Sequence, residues 1–247
     1  MLAEPRAAVD LYWLPLGAGG HFVRMNGRIY EALVAWRAKR PRRDLYHSAL
    51  IVTVPAGKFV IEQAWPIPSG DKGRRGVVAE GPVATRVARS LRFLRYEVRR
   101  WPDGVISDIN EAVASPQRLT DDVVVAERLL ELVPEVPTPV WGRDEIGAGE
   151  MWNSNSLISW LIVHAALDID TVQPPAGGRA PGWDAGVILA RRQETAQASA
   201  HSAWGVFGGA SLRLDELLPP GCVATRVAAA PPQKAPAAST SATGRTR

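Results

Sequence analysis

The stretch Leu45-Tyr46-His47-Ser48-Ala49-Leu50-Ile51-Val52-Thr53-Val54, continuing as Pro55-Ala56-Gly57-Lys58 and Phe59-Val60-Ile61-Glu62-Gln63-Ala64, decides the fold. Its first ten residues are rich in apolar and β-branched side chains, the composition of a central strand. Pro-Ala-Gly-Lys reads as a four-residue turn and Phe59–Ala64 as the returning strand, so the whole is a β-hairpin. Such a turn sets Val54 against Phe59. On that register His47 falls opposite Pro66 and Glu62 opposite Ile51, about four residues apart along the sheet. A bulge or a shifted register is then needed to bring the imidazole and the carboxylate together.

Working outward, Asp10–Leu16 reads as a short buried strand ended by Gly17, Gly19 and Gly20. The run Leu16–His21 lacks the Lys-Ser/Thr ending of a phosphate loop and is a turn. Asn26–Lys39 places Ile29, Tyr30, Leu33, Val34 and Trp36 at helical spacing, and Pro41 stops it. The basic cluster Arg37, Lys39, Arg40, Arg42 and Arg43 then complements the negative end of the helix dipole.

On the other side of the hairpin, Gly76–Gly81 reads as a short strand. Phe93–Trp101 alternates Leu94, Tyr96 and Val98 with Arg95, Glu97 and Arg99, the pattern of a half-exposed strand at a sheet edge. Thr120 is the expected cap of a helix over Asp121–Val133, followed by a stiff connector at Pro134, Pro137 and Pro139. Met151–Leu161 reads MWNSNSLISWL, with Asn-Ser-Asn-Ser between Trp152 and the apolar run from Leu157. Small polar residues before an apolar period mark a helix start, here Ser154–Leu167. Val187–Arg191 reads as a last strand and Glu194–Ala203 as a weak helix. The fold class is α+β, with an antiparallel sheet packed against helices. Residues 1–227 read as one domain. Residues 228–247 are Ala, Pro, Ser, Thr and Gly with little else, an expected disordered tail.

Composition narrows the function. The 247-residue chain has a formal net charge of +4. Lys234, Arg245 and Arg247 in the acid-free tail account for three of those charges, so the folded part is nearly neutral and nucleic acid is not an expected partner. Cys222 is the single cysteine, which excludes an internal disulfide and a Cys-built metal cluster. His21, His164 and His201 show no metal-ligand spacing, and no cofactor motif is present. The longest apolar run, Leu157–Leu167, is broken by Ser159 and His164 and is too short to span a bilayer. No apolar leader opens the chain, so the expected location is the cytoplasm.

Three features stand in chain order: His47 on a strand, Glu62 on the next, and Asn153-Ser154-Asn155 heading a later helix. The chain resembles the circularly permuted branch of the NlpC-like papain-fold superfamily, which includes the PPPDE peptidases and the lecithin:retinol-acyltransferase-like proteins. The family's His-Ser/Thr-Ala/Ser-apolar strand reads here as His47-Ser48-Ala49-Leu50. Its Asn-Cys-Asn helix start reads as Asn153-Ser154-Asn155, and the Glu strand of related members as Val60-Ile61-Glu62-Gln63-Ala64. The resemblance covers roughly residues 10 to 190. It implies a papain-like sheet, a nucleophile at Ser154, a base at His47, an orienting carboxylate at Glu62, and a cleft with its oxyanion site near Trp152, Asn153 and Asn155. The substrate would be a peptide, protein or acyl compound.

The departure from the family is the nucleophile, Cys there and Ser154 here. A thiol is partly ionised near neutral pH, whereas a hydroxyl is not. The helix dipole offers about 0.3–1 kcal/mol, less than the roughly 1.4 kcal/mol of one pKa unit. Ser154 therefore acts only if His47 takes its proton during attack. Two expectations follow. One is a Ser-His-Glu hydrolase or acyl transferase acting on an amide, thioester or ester. The other is a catalytically silent relative that binds a peptide or acyl group.

Overall fold

The computed structural model describes residues 7–16, 35–37, 39, 41–65, 75–91 and 94–206. The glycine turn at 17–20, most of the Asn26–Lys39 helix and the tail lie outside these residues. The chain divides into two units, Met1–Ser202 and Ala203–Arg247. The sheet and the helix residues packed on it belong to the first.

Six strands form one antiparallel sheet: β1 (Ala8–Pro15), β2 (Tyr46–Val54), β3 (Gly57–Ala64), β4 (Val77–Pro82), β5 (Arg95–Pro102) and β6 (Val113–Thr120). Their order across the sheet is β4-β5-β3-β2-β1-β6. The α+β class and the antiparallel sheet are as the sequence indicates.

The central hairpin is tighter than expected. Val54 pairs with Gly57 and Leu50 with Ile61, so Pro55 and Ala56 alone make the turn. Gly57 adopts φ 138°, a conformation that side chains disfavour, and this lets it pair at once after the corner. The two-residue shift carries the end of β3 back toward the start of β2. Continued along both strands, it sets Glu62 beside Ala49, one diagonal step from His47 on the same face.

Strand alternation divides the sheet into two faces. Val9, Leu11, Trp13, Leu50, Val52, Ile61, Tyr96 and Val98 point to the first, where they join a single apolar core. That core also holds residues of α1 (Val123–Leu132) and α2 (Ser154–His164). Leu14, Ala49, Ile51 and Val60 point to the second face and meet Ile106 from the segment between β5 and β6.

Three expectations are corrected. Strand β5 lies between β4 and β3, not at an edge. Its charged residues face counter-charges instead of water, and an alternating pattern reads the same in both cases. Asp122 caps α1, accepting from the N–H groups of Val124 and Val125, while Thr120 accepts from Asp122 N–H just outside. Val187–Arg191 is not a strand but part of helix α3 (Trp183–Val206). A five-residue apolar run does not distinguish the two. Here Ala185 and Ala190 are buried, and Trp183 stacks obliquely on Trp13 with ring centroids 5.1 Å apart.

Candidate functional site

The Asn-Ser-Asn-Ser stretch forms the head of α2, and almost every polar atom in it is spent on holding that helix. Asn153 is the N-cap: its side-chain oxygen accepts from Asn155 N–H at 2.8 Å, and its amide donates to Pro181 C=O at 2.8 Å. Ser156 completes a capping box, accepting from Asn153 N–H at 3.1 Å and donating to Gly182 C=O at 2.7 Å. Asn155 is the clasp to the sheet. Its Nδ2 donates to Tyr46 C=O and Pro181 C=O, both at 2.9 Å, and its Oδ1 accepts from Ser48 Oγ at 2.9 Å. Gly186 of α3 lies so close that a Cβ there would collide with Ser156 C=O and Ser159 Oγ. Ser154 is 9% exposed, and its hydroxyl bonds to none of the described residues.

Ser48 faces α2, so the pleat turns its neighbour His47 to the second face. There His47 Nε2 lies 3.4 Å from Asp108 Oδ2. The imidazole is 27% exposed and the carboxylate 11%. No bond or ion pair among the described residues joins His47 to Ser154. The sheet therefore brings His47 and Glu62 together and separates both from Ser154, Asn153, Asn155 and Trp152. The Ser-His-Glu arrangement implied by the resemblance is not assembled.

Glu62 anchors a chain of charges on the second face. Its Oε1 accepts from Arg99 Nη1 at 2.9 Å. Arg99 Nε and Nη2 both donate to Glu97 Oε2, at 3.0 and 2.8 Å, and Nη2 also donates to Trp65 C=O. Arg75 Nη2 donates to the other oxygen of Glu97 at 3.0 Å. Glu97, Arg99 and Arg75 are all buried, so each charge depends on its partners. Burial pushes the Glu62 carboxyl above its ordinary range. Arg99, by charge and hydrogen bond, and then His47 pull it down, while Asp108 pushes it further up. Glu62, His47 and Asp108 are thus within electrostatic reach of one another.

Asp108 was not legible as a partner of His47. It lies in the irregular segment after β5, carried over the second face by Ile106 and Ile109, which pack against that small core. The available signal was Ile106 and Ile109 flanking an acid between two strands. Among the described residues no group of three or more His, Cys, Asp or Glu is placed to hold a metal ion, and no helix is long and apolar enough to cross a membrane. No family model, curated protein or solved structure matches the chain.

Proposed function

We propose that this chain is a hydrolase of an amide, ester or thioester bond, with His47 and Asp108 as its acid–base pair and water as the nucleophile. The observation that carries this reading is the 3.4 Å approach of His47 Nε2 to Asp108 Oδ2 at a partly exposed position. The imidazole takes a proton from water as the oxygen adds to the carbonyl carbon. The Asp108 carboxylate orients the ring and stabilises the imidazolium. The ring then returns the proton to the leaving group as the tetrahedral centre collapses. Glu62 lies within electrostatic reach of the pair. A peptide, protein or acyl substrate, a papain-like scaffold and a cytoplasmic setting belong to the same reading.

The test is turnover on a panel of nitrophenyl esters and peptide anilides. His47→Ala and Asp108→Asn each lower kcat by about a hundredfold or more, while Ser154→Ala leaves it unchanged. Loss of turnover in Ser154→Ala alone would return the nucleophile to Ser154 and overturn the assignment.

A second reading, a silent relative that binds a peptide or acyl group, is favoured by one observation: Asn153, Asn155 and Ser156 are consumed as structural bonds at the helix head. On that reading the wild-type protein shows no turnover. Ser154→Cys gains none either, because the base lies across the sheet.

A further inference from the structure

Two buried polar side chains near the head of α2 have no partner in the bonding described above. Gln63 is 8% exposed, and neither its Nε2 donor nor its Oε1 acceptor has a hydrogen-bond partner. Trp152 is 1% exposed, and its indole Nε1–H is equally unpaired. Native structures rarely leave such groups unmatched, and each instance asks for a reason.

The sheet places Gln63 at the end of the first face that carries the head of α2. Strand β3 runs antiparallel to β2, and Gln63 lies two residues beyond the Leu50–Ile61 pair, toward the first residues of β2. The head of α2 is bonded to those same first residues through Asn155, which contacts Tyr46 C=O and Ser48 Oγ. Gln63 shares its face with Ile61, a member of the core that contains Leu157 and Ile158 of α2. Trp152 directly precedes the Asn153 cap. Ser154, in the first turn, holds a hydroxyl that bonds to none of the described residues.

We propose that Gln63, Trp152 and the head of α2 form a binding site for a peptide-type amide. An extended peptide presents the N–H and the C=O of one residue side by side, whereas within a single trans amide the two point in opposite directions. That carbonyl oxygen accepts from Gln63 Nε2 and Trp152 Nε1, and that N–H donates to Gln63 Oε1. A carboxylate or phosphate brings no donor for Oε1, and an alkyl chain brings neither group, so the unmatched pair selects an amide. The positive end of the helix dipole favours the carbonyl oxygen there. The site lies across the sheet from His47 and Asp108 and stands without the hydrolase reading.

The experiment follows the Gln63 side-chain amide and the Trp152 indole N–H by two-dimensional NMR, the latter assigned with Trp152→Phe. The titrants are capped dialanine, with an N-acetyl group and a C-terminal methylamide, and its depsipeptide analogue, in which ester oxygen replaces the central N–H. The expected result is a saturable shift of both resonances with the peptide. The ester binds about tenfold more weakly, the factor set by leaving one buried acceptor unpaired. Gln63→Leu loses the shift of the indole N–H while melting at the wild-type temperature or above it, because it removes two unmatched groups and no bond. Trp152→Phe weakens peptide binding and folds as before. Equal binding of peptide and ester, or no saturable shift with either, overturns the proposal. So does a lowered melting temperature in Gln63→Leu with peptide binding intact, the behaviour of a carboxamide that only holds internal water.

Discussion

Among the described residues, the polar bonds that join the first face of the sheet to α2 are neutral: the Asn155 side chain with the Ser48 hydroxyl and the Tyr46 carbonyl. Over the second face β3 and β5 carry full charges, Glu62, Glu97 and Arg99, with Arg75, His47 and Asp108 beside them. Neutral hydrogen bonds are satisfied one by one and change little with pH. Buried charges survive only as a set, and their protonation responds to burial and to one another. The first face therefore fixes a helix in place, and the second is where proton chemistry becomes available.

The largest effect comes from breaking the charged face. Glu97→Ala leaves two buried guanidiniums without their shared partner and should cost about 3–5 kcal/mol, read as a lowered midpoint in urea unfolding. Next comes the clasp. Asn155→Ala strips a donor from the buried Tyr46 and Pro181 carbonyls and should cost about 3 kcal/mol, with no change in slope against pH. Smaller again is Gly186→Ala, which forces α3 away from Ser156 and Ser159 at about 1–3 kcal/mol, visible in the melting temperature.

The subtlest prediction sharpens the contrast through pH. The folded-state pKa of Glu62 is raised above the ordinary 4.5 by burial, so folding takes up a proton between that value and the raised one. Stability from this group is full below the ordinary value and is lost as pH rises through the window. Glu62→Gln removes that loss, so its stability relative to the wild type should climb across mildly acidic pH. Asn155→Ala, on the other face, should run parallel to the wild type in the same urea series.

Much of the first face could be read from residues alone. The hairpin composition and the apolar period after Asn153-Ser154-Asn155-Ser156 are local signals, and local signals set β2, β3 and α2. The register was not legible, because Pro55-Ala56-Gly57-Lys58 permits either a four- or a two-residue turn and the choice depends on Gly57 joining the ladder. That choice moves Glu62 by two positions. The face of His47 was hidden for a related reason. Strand alternation says only that His47 and Ser48 point apart, and the clasp from Asn155 decides which of them meets the helix. The charges of β5 failed as a signal because Glu97 and Arg99 look like surface residues until Arg75 and Glu62 are placed beside them.

The start of β2 has one more partner. Tyr46 N–H donates to Arg179 C=O and its C=O accepts from Asn155, 109 positions later in the chain. During synthesis, then, this strand emerges with one end of its backbone unsatisfied until Asn155 and Arg179 have been made. Its apolar residues must wait through that interval, and a ribosome-bound chain stopped before Asn155 should present an open, adhesive strand end to chaperones or to its neighbours.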